Sequence, residues 1–151
     1  MQAPANTLAL RPDPTAVASA LQWLEGIAER EGWPPRASFG LTLCLDEALT
    51  NVISYAFDPP EPGIEPAITV SWRNDRAGIV VELRDNGRPY DPTADEPPPL
   101  AANLDEAKLG GHGVRLMRHY LQELAYRRED GWNCLTMVMA AAPARDQGAA
   151  S

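Results

Sequence analysis

The chain has 151 residues, 44% of them hydrophobic, with 13 Lys and Arg against 21 Asp and Glu, a formal net charge of −8. That length suits one domain burying roughly 68–70% of its unfolded surface, and the acidic balance excludes a general nucleic-acid binder, which needs cations to meet phosphates. No run reaches the apolar length of a membrane span and "MQAPANTLALRPDP" lacks the regions of a signal peptide, so a soluble cytoplasmic protein is expected, with no membrane partner.

Residues 1–6 read as a flexible start, followed by a short strand at Thr7 to Leu10. "DPTAVASALQWLEGIAEREG" predicts a helix with Asp13 as N-cap, Pro14 at its first position and Gly32 closing it. Val17, Leu21, Leu24 and Ala28 give it one apolar stripe. "WPP" then breaks to a second helix from about Pro35 or Ser38 to Phe57, ended by Pro59, Pro60 and Pro62. Its core stripe is Leu41, Leu45, Ala48, Leu49, Val52 and Ala56, while Glu47, Thr50, Asn51 and Ser54 gather opposite.

"AITVSWR" (67–73) and "GIVVELRD" (78–85) alternate with period two and form a hairpin across Asn74 to Ala77. Residues 88–110 hold five prolines and several acids and read as a long loop, with 92–109 expected to be a mobile lid. Helical spacing resumes in "GVRLMRHYLQEL", where Val114, Met117 and Leu121 share a stripe. "LAYRRE" and "NCLTMVMA" are two last strands joined by Asp130 and Gly131, and 142–151 read as a flexible tail, leaving 7–141 as the domain. Cys44 and Cys134 lie in apolar stretches without CxxC spacing, so they read as small buried hydrophobes rather than a disulfide.

Three polar stations stand in chain order. Glu47 and Asn51 lie one above the other on a helix; a solvated surface is the plain reading, and a paired polar site the functional one. "DNG" (85–87) reads as an Asn-Gly turn, or as a strand-end carboxylate offered to an amino group where glycine permits close approach. "GGHG" (110–113) reads as a flexible joint, or as a cradle of backbone N–H groups at a helix N-terminus suited to phosphates. His112 and His119 lack the company of a metal site.

Together, "DEALTNVISYAF", "RDNGRPYDP", "GGHGVRLM" and "NCLTMVM" resemble the N, G1 and G2 boxes and terminal strand of the GHKL ATPase superfamily. The wording is most similar to the anti-sigma-factor serine/threonine kinases, over about Leu8 to Ala140. The resemblance implies an α/β (α+β) fold, a two-layer sandwich of helices on a mixed, largely antiparallel sheet. It implies ATP and Mg²⁺ as cofactors, a sigma factor and an anti-sigma-factor antagonist as partners, and a homodimer. Carried over by residue, it gives Asp85 the adenine amino group, Gly87 the pocket floor and Thr136 a supporting place on the adenine side. Asn51 would ligate Mg²⁺ and Glu47 would activate the attacking hydroxyl, while Gly110, Gly111, His112, Gly113 and Val114 would hold the phosphates. In related kinases the lid often carries an arginine that meets the phosphates, whereas Lys108 is the one cation between Asp91 and Leu109 and the candidate for that cofactor-binding place. A nucleotide-responsive binding module and a histidine-kinase ATP domain are the alternatives.

Overall fold

The structure, a computed structural model, describes residues 6–57, 62–76, 78–93, 115 and 117–140. β1 (Thr7–Leu10), β2 (Ile68–Asp75), β3 (Gly78–Asp85), β4 (Glu123–Glu129) and β5 (Trp132–Met139) form one sheet in the order β1-β2-β3-β5-β4. Each of these pairings is antiparallel, so among the described residues the expected mixed sheet is an antiparallel one. α1 (Ala16–Glu31) and α2 (Pro35–Asn51) pack on one face and complete the two-layer sandwich. The loop of the β2–β3 hairpin is shorter than Asn74 to Ala77, because pairing runs on to Asp75 and Gly78.

Local chemistry sets the helix ends. Helix α1 begins at Ala16 with Thr15 as N-cap, not at Pro14 with Asp13 as cap. Asp13 acts from an outer turn: its Oδ1 accepts the Thr15 N–H at 2.8 Å and the Thr15 hydroxyl at 2.6 Å, and its carbonyl accepts the Ala16 N–H. At the other end Gly32, at φ 67°, permits the left-handed turn in which Gly32 N–H bonds to Glu29 O and Trp33 N–H to Ala28 O. That pair of bonds is a Schellman ending, and it folds Trp33 back onto the core.

The core is the apolar stripe of each helix laid on alternate residues of the strands. Leu24 and Ile27 from α1 and Leu41, Leu45 and Leu49 from α2 are fully buried, against Ile68, Val70, Ile79, Val81, Leu83 and Met137. Met117 and Leu121, at the ends of a helical bond, close the same core as their spacing predicts. Cys44 lies inside it, where burial and the neighbouring Glu47 charge push its thiol up to about 12, so it stays a neutral packing group. Both cysteines are free.

Helical spacing did not predict how α2 ends. Val52–Ala56 continue it as a π-helix, a wider turn that often marks functional sites. The Ala56 carbonyl there accepts the Arg88 N–H at 2.8 Å, joining the helix end to the segment after β3. Gly87 is pressed against this turn: a Cβ at Gly87 would lie 2.7 Å from the Ala56 Cβ and closer still to its carbonyl oxygen. At Gly40, by contrast, a Cβ would chiefly meet the movable tip of Met139. Gly87→Ala is therefore expected to destabilise the fold by about 1–3 kcal/mol and more than Gly40→Ala. Urea unfolding of the two variants checks the order, and equal midpoints would contradict the close packing at Gly87.

Candidate active site

Strand pairing places Asp85 at the end of β3 opposite Asn133 at the start of β5. Period two turns both toward the helices, on the face that carries Leu83 and Leu135. They are the two buried polar side chains found among the described residues. Above them opens a cleft enclosing about 310 Å³, solvent space at its mouth included. Ala48 and Val52 from the helix side and Leu83 and Leu135 from the sheet give it apolar walls, while Asp85, Asn133 and Tyr126 form its polar end. Asn51 lines the helix edge, and Tyr90 and Pro92 form a rim.

The polar end is a closed hydrogen-bond set. Asp85 Oδ1 accepts the Gly87 N–H and the Asn133 Nδ2, each at 2.9 Å. Asn133 also donates to the Arg88 carbonyl at 2.8 Å, and its Oδ1 accepts the Tyr126 hydroxyl, the Tyr90 N–H and Arg128. Arg128 donates as well to the Gly87 carbonyl at 2.8 Å. Burial pushes the Asp85 carboxyl above the usual aspartate range, and the bonds from Asn133 and Gly87 and the charge of Arg128 only partly offset it. Both described bonds fall on one oxygen, which leaves Oδ2 for a ligand that donates.

Glu47 stands one helical turn before Asn51, half-buried, on the side of α2 that faces Tyr90. Burial, together with the Tyr55, Glu47 and Asp91 charges, pushes the Tyr90 phenol above its usual range, so Tyr90 stays a neutral rim residue. Its ring lies beside that of Tyr55, with centroids 6.0 Å apart. Apolar walls, a buried carboxylate at one end and Asn51 at the helix edge suit an amino-bearing heteroaromatic ligand.

The structure thus brings Asn51 and Asp85 to one cleft, while Glu47, one turn before Asn51, lies toward the Tyr90 rim and is not among the residues that line it. Gly87 is adjacent, but what approaches it closely is Ala56 of the helix end, not open pocket floor. Thr136 requires a correction: it stands on the opposite face of the sheet, paired with Glu82, and its hydroxyl donates to Glu82 Oε2 at 3.3 Å. The cleft residues of β5 are Asn133 and Leu135. Lys108, Gly110, Gly111, His112, Gly113, Val114 and most of the expected lid lie outside the described residues. Sequence reading missed Asn133, Tyr126, Arg128 and Tyr90; of these, the alternation of β5 alone could have found Asn133.

The fold is a two-layer α/β sandwich of the histidine kinase-like ATPase type. The model of the histidine kinase-like ATPase domain matches residues 10–139. The serine/threonine-protein kinase BtrW of Bordetella bronchiseptica is 48% identical over 143 residues, 95% of this chain and 99% of that protein. The serine-protein kinase RsbW of Listeria innocua is 27% identical over 129 residues, 83% of this chain and 80% of that protein. In fold, the histidine kinase domain of a blue-light activated histidine kinase from Erythrobacter litoralis superposes with a TM-score of 0.52 at 16% identity, covering 98% of this chain and 68% of that one. The chain belongs to the histidine kinase-like ATPase domain family. Within it the chain is an ATP-using kinase, most like the serine/threonine-protein kinases.

The raised Asp85 carboxyl yields a signed prediction. Between the usual aspartate value and its raised folded value, the native state holds a proton that the unfolded state has released, so the Asp85 contribution to stability falls as pH rises. If Asp85 takes the adenine amino group, as the resemblance implies, nucleotide affinity runs the other way and falls as pH drops through the raised value, because Oδ2 accepts best when ionised. Asp85→Asn should fold, lose this pH dependence, and bind ATP about 1.5–3 kcal/mol more weakly, since a donor then faces a donor. Calorimetry across pH decides it; undiminished ATP affinity in the folded variant would remove Asp85 from the site.

Proposed function

We propose that the chain is an ATP- and Mg²⁺-dependent serine/threonine kinase that binds a sigma factor and phosphorylates an anti-sigma-factor antagonist, as a cytoplasmic homodimer. The observation that carries the reading is the position of Asn51 on the cleft with Glu47 one turn earlier, across from Asp85. In this reading the adenine enters between Val52 and Leu83 and its amino group donates to Asp85. The triphosphate then runs along the helix edge past Asn51. The relatives named for serine phosphorylation support the acceptor class, and the order of the four sequence motifs supports the switch in which the partners stand.

Asn51 offers one neutral side-chain oxygen at the cleft. Such a donor fits Mg²⁺, which keeps waters and takes phosphate oxygens in place of an all-protein cage. When bound, the ion neutralises charge developing on the phosphates. Glu47 takes the proton of the acceptor serine as its oxygen bonds to the γ-phosphorus, and the bond to the β-phosphate oxygen breaks to release ADP. The Tyr55 and Tyr90 rings, at the mouth, bound the space in which that serine must be presented.

Glu47→Gln should keep Mg-ATP affinity within about threefold and lose about 10²–10⁴ in transfer rate. Asn51→Ala should lose the Mg²⁺-dependent part of ATP affinity while retaining metal-free binding. The assay combines the protein, labelled ATP, Mg²⁺ and candidate antagonist proteins, and locates the labelled residue by mass spectrometry. Transfer by Glu47→Gln at the wild-type rate would refute the base. ATP binding without transfer to any serine would favour a nucleotide-responsive binding module.

A further inference from the structure

We infer that Asn133 is a specificity-determining positioning residue, which fixes the Asp85 carboxylate so that the site selects purine nucleotides bearing an exocyclic amino donor over those lacking one. The inference rests on the proposed site, in which Asp85 receives the adenine.

A primary amide has two N–H donors and one oxygen with two lone pairs. Asn133 uses both donors, on Asp85 Oδ1 at 2.9 Å and Arg88 O at 2.8 Å. Its oxygen takes three donors, from Tyr126, Tyr90 and Arg128. These partners come from β3, the segment after it and β4, so turning the amide would break contacts on all of them at once. The direction of the N–H toward Asp85 is therefore set by its surroundings.

Gly87 N–H meets the same Asp85 oxygen at 2.9 Å from the chain beyond β3. Two donors on Oδ1, one from each side, hold the carboxylate and leave Oδ2 as its remaining acceptor. Arg128, bonded to both the Asn133 oxygen and the Gly87 carbonyl, braces the two donors together. Asn133 thus acts through Asp85. An amino-bearing purine gains a bond at Oδ2, a carbonyl in that place meets lone pair with lone pair, and an unsubstituted purine gains nothing.

The test is the ratio of affinities for ATP and for purine riboside triphosphate, the same nucleotide without its amino group. Asn133→Asp keeps the side-chain shape and the acceptor for Tyr126, Tyr90 and Arg128, but sets a second carboxylate against Asp85. It should weaken ATP by about tenfold or more while the amino-free nucleotide changes less than about threefold, so the preference collapses. Arg128→Met alters an exposed residue and serves if Asn133→Asp does not fold; it should lower the preference in the same direction by a smaller factor. Equal weakening of both nucleotides, or an unchanged ratio, in the folded variant overturns the positioning role and leaves a structural one. Asp85→Asn, measured alongside, separates the two levels: if it keeps the wild-type preference for ATP, the site reading itself falls, whatever Asn133 does.

Discussion

An ionised carboxylate beneath a helical layer must be met by donors, and in this sandwich Asn133 and the Gly87 amide meet Asp85. The penalty is not removed, since the carboxyl still sits above its usual range. What the bonds achieve is a fixed orientation. They also tie the site to strand register: β3 and β5 must pair Asp85 with Asn133, and a slip of one residue would turn Asn133 to the far face. The packing of Leu135, Met137 and Met139 resists that slip, because it would take three residues out of the core beneath the helices.

The helical layer is located by a different contact. Gly87 has no side chain to hold it away from Ala56, and the Arg88 N–H to Ala56 carbonyl bond closes the junction. Residues 87–90 are therefore held at both ends of one short run: to the helix through Ala56 and to the sheet through Asn133 and Arg128. The π-turn Val52–Ala56 belongs to this junction, since the carbonyl that reaches Arg88 is its last.

Much of the layered architecture was legible because it rests on periodicity. Strands β1 to β5, both helices and the buried stripe of α2 were expected to within a few residues, for alternation and 3.6-residue spacing record which face is apolar. Helix α1 instead buries Ala20, Leu24, Ile27 and Ala28 and leaves the expected Val17 and Leu21 only partly buried. The ends were less legible. Asp13 acts from an outer turn, and nothing in "VISYAF" signals a π-turn that meets Gly87 and Arg88 far along the chain. At the cleft, Asn51 and Asp85 could be named from the sequence because a helical offset and a strand end are local patterns. Thr136 was misplaced although the alternation that buries Leu135 and Met137 already turns it outward. Tyr126, Arg128 and Tyr90 join only through tertiary contacts, which no spacing along the chain records.

The two ends of the cleft answer opposite demands. Recognition of a base edge gains from a dry, fixed acceptor, because a hydrogen bond made away from water discriminates against ligands that cannot complete it. Asp85 is given that environment at the sheet, with its stability cost carried by the fold. In the proposed reaction proton transfer has the contrary need, for a group open to exchange, and Glu47 stands half-buried at the helix edge. Asn51 lies between them on the same helix. In the proposed binding mode α2 and the sheet supply both environments, because the base inserts between the layers and the phosphates remain at their margin, so that the sandwich sets the direction of the nucleotide before any side chain selects it.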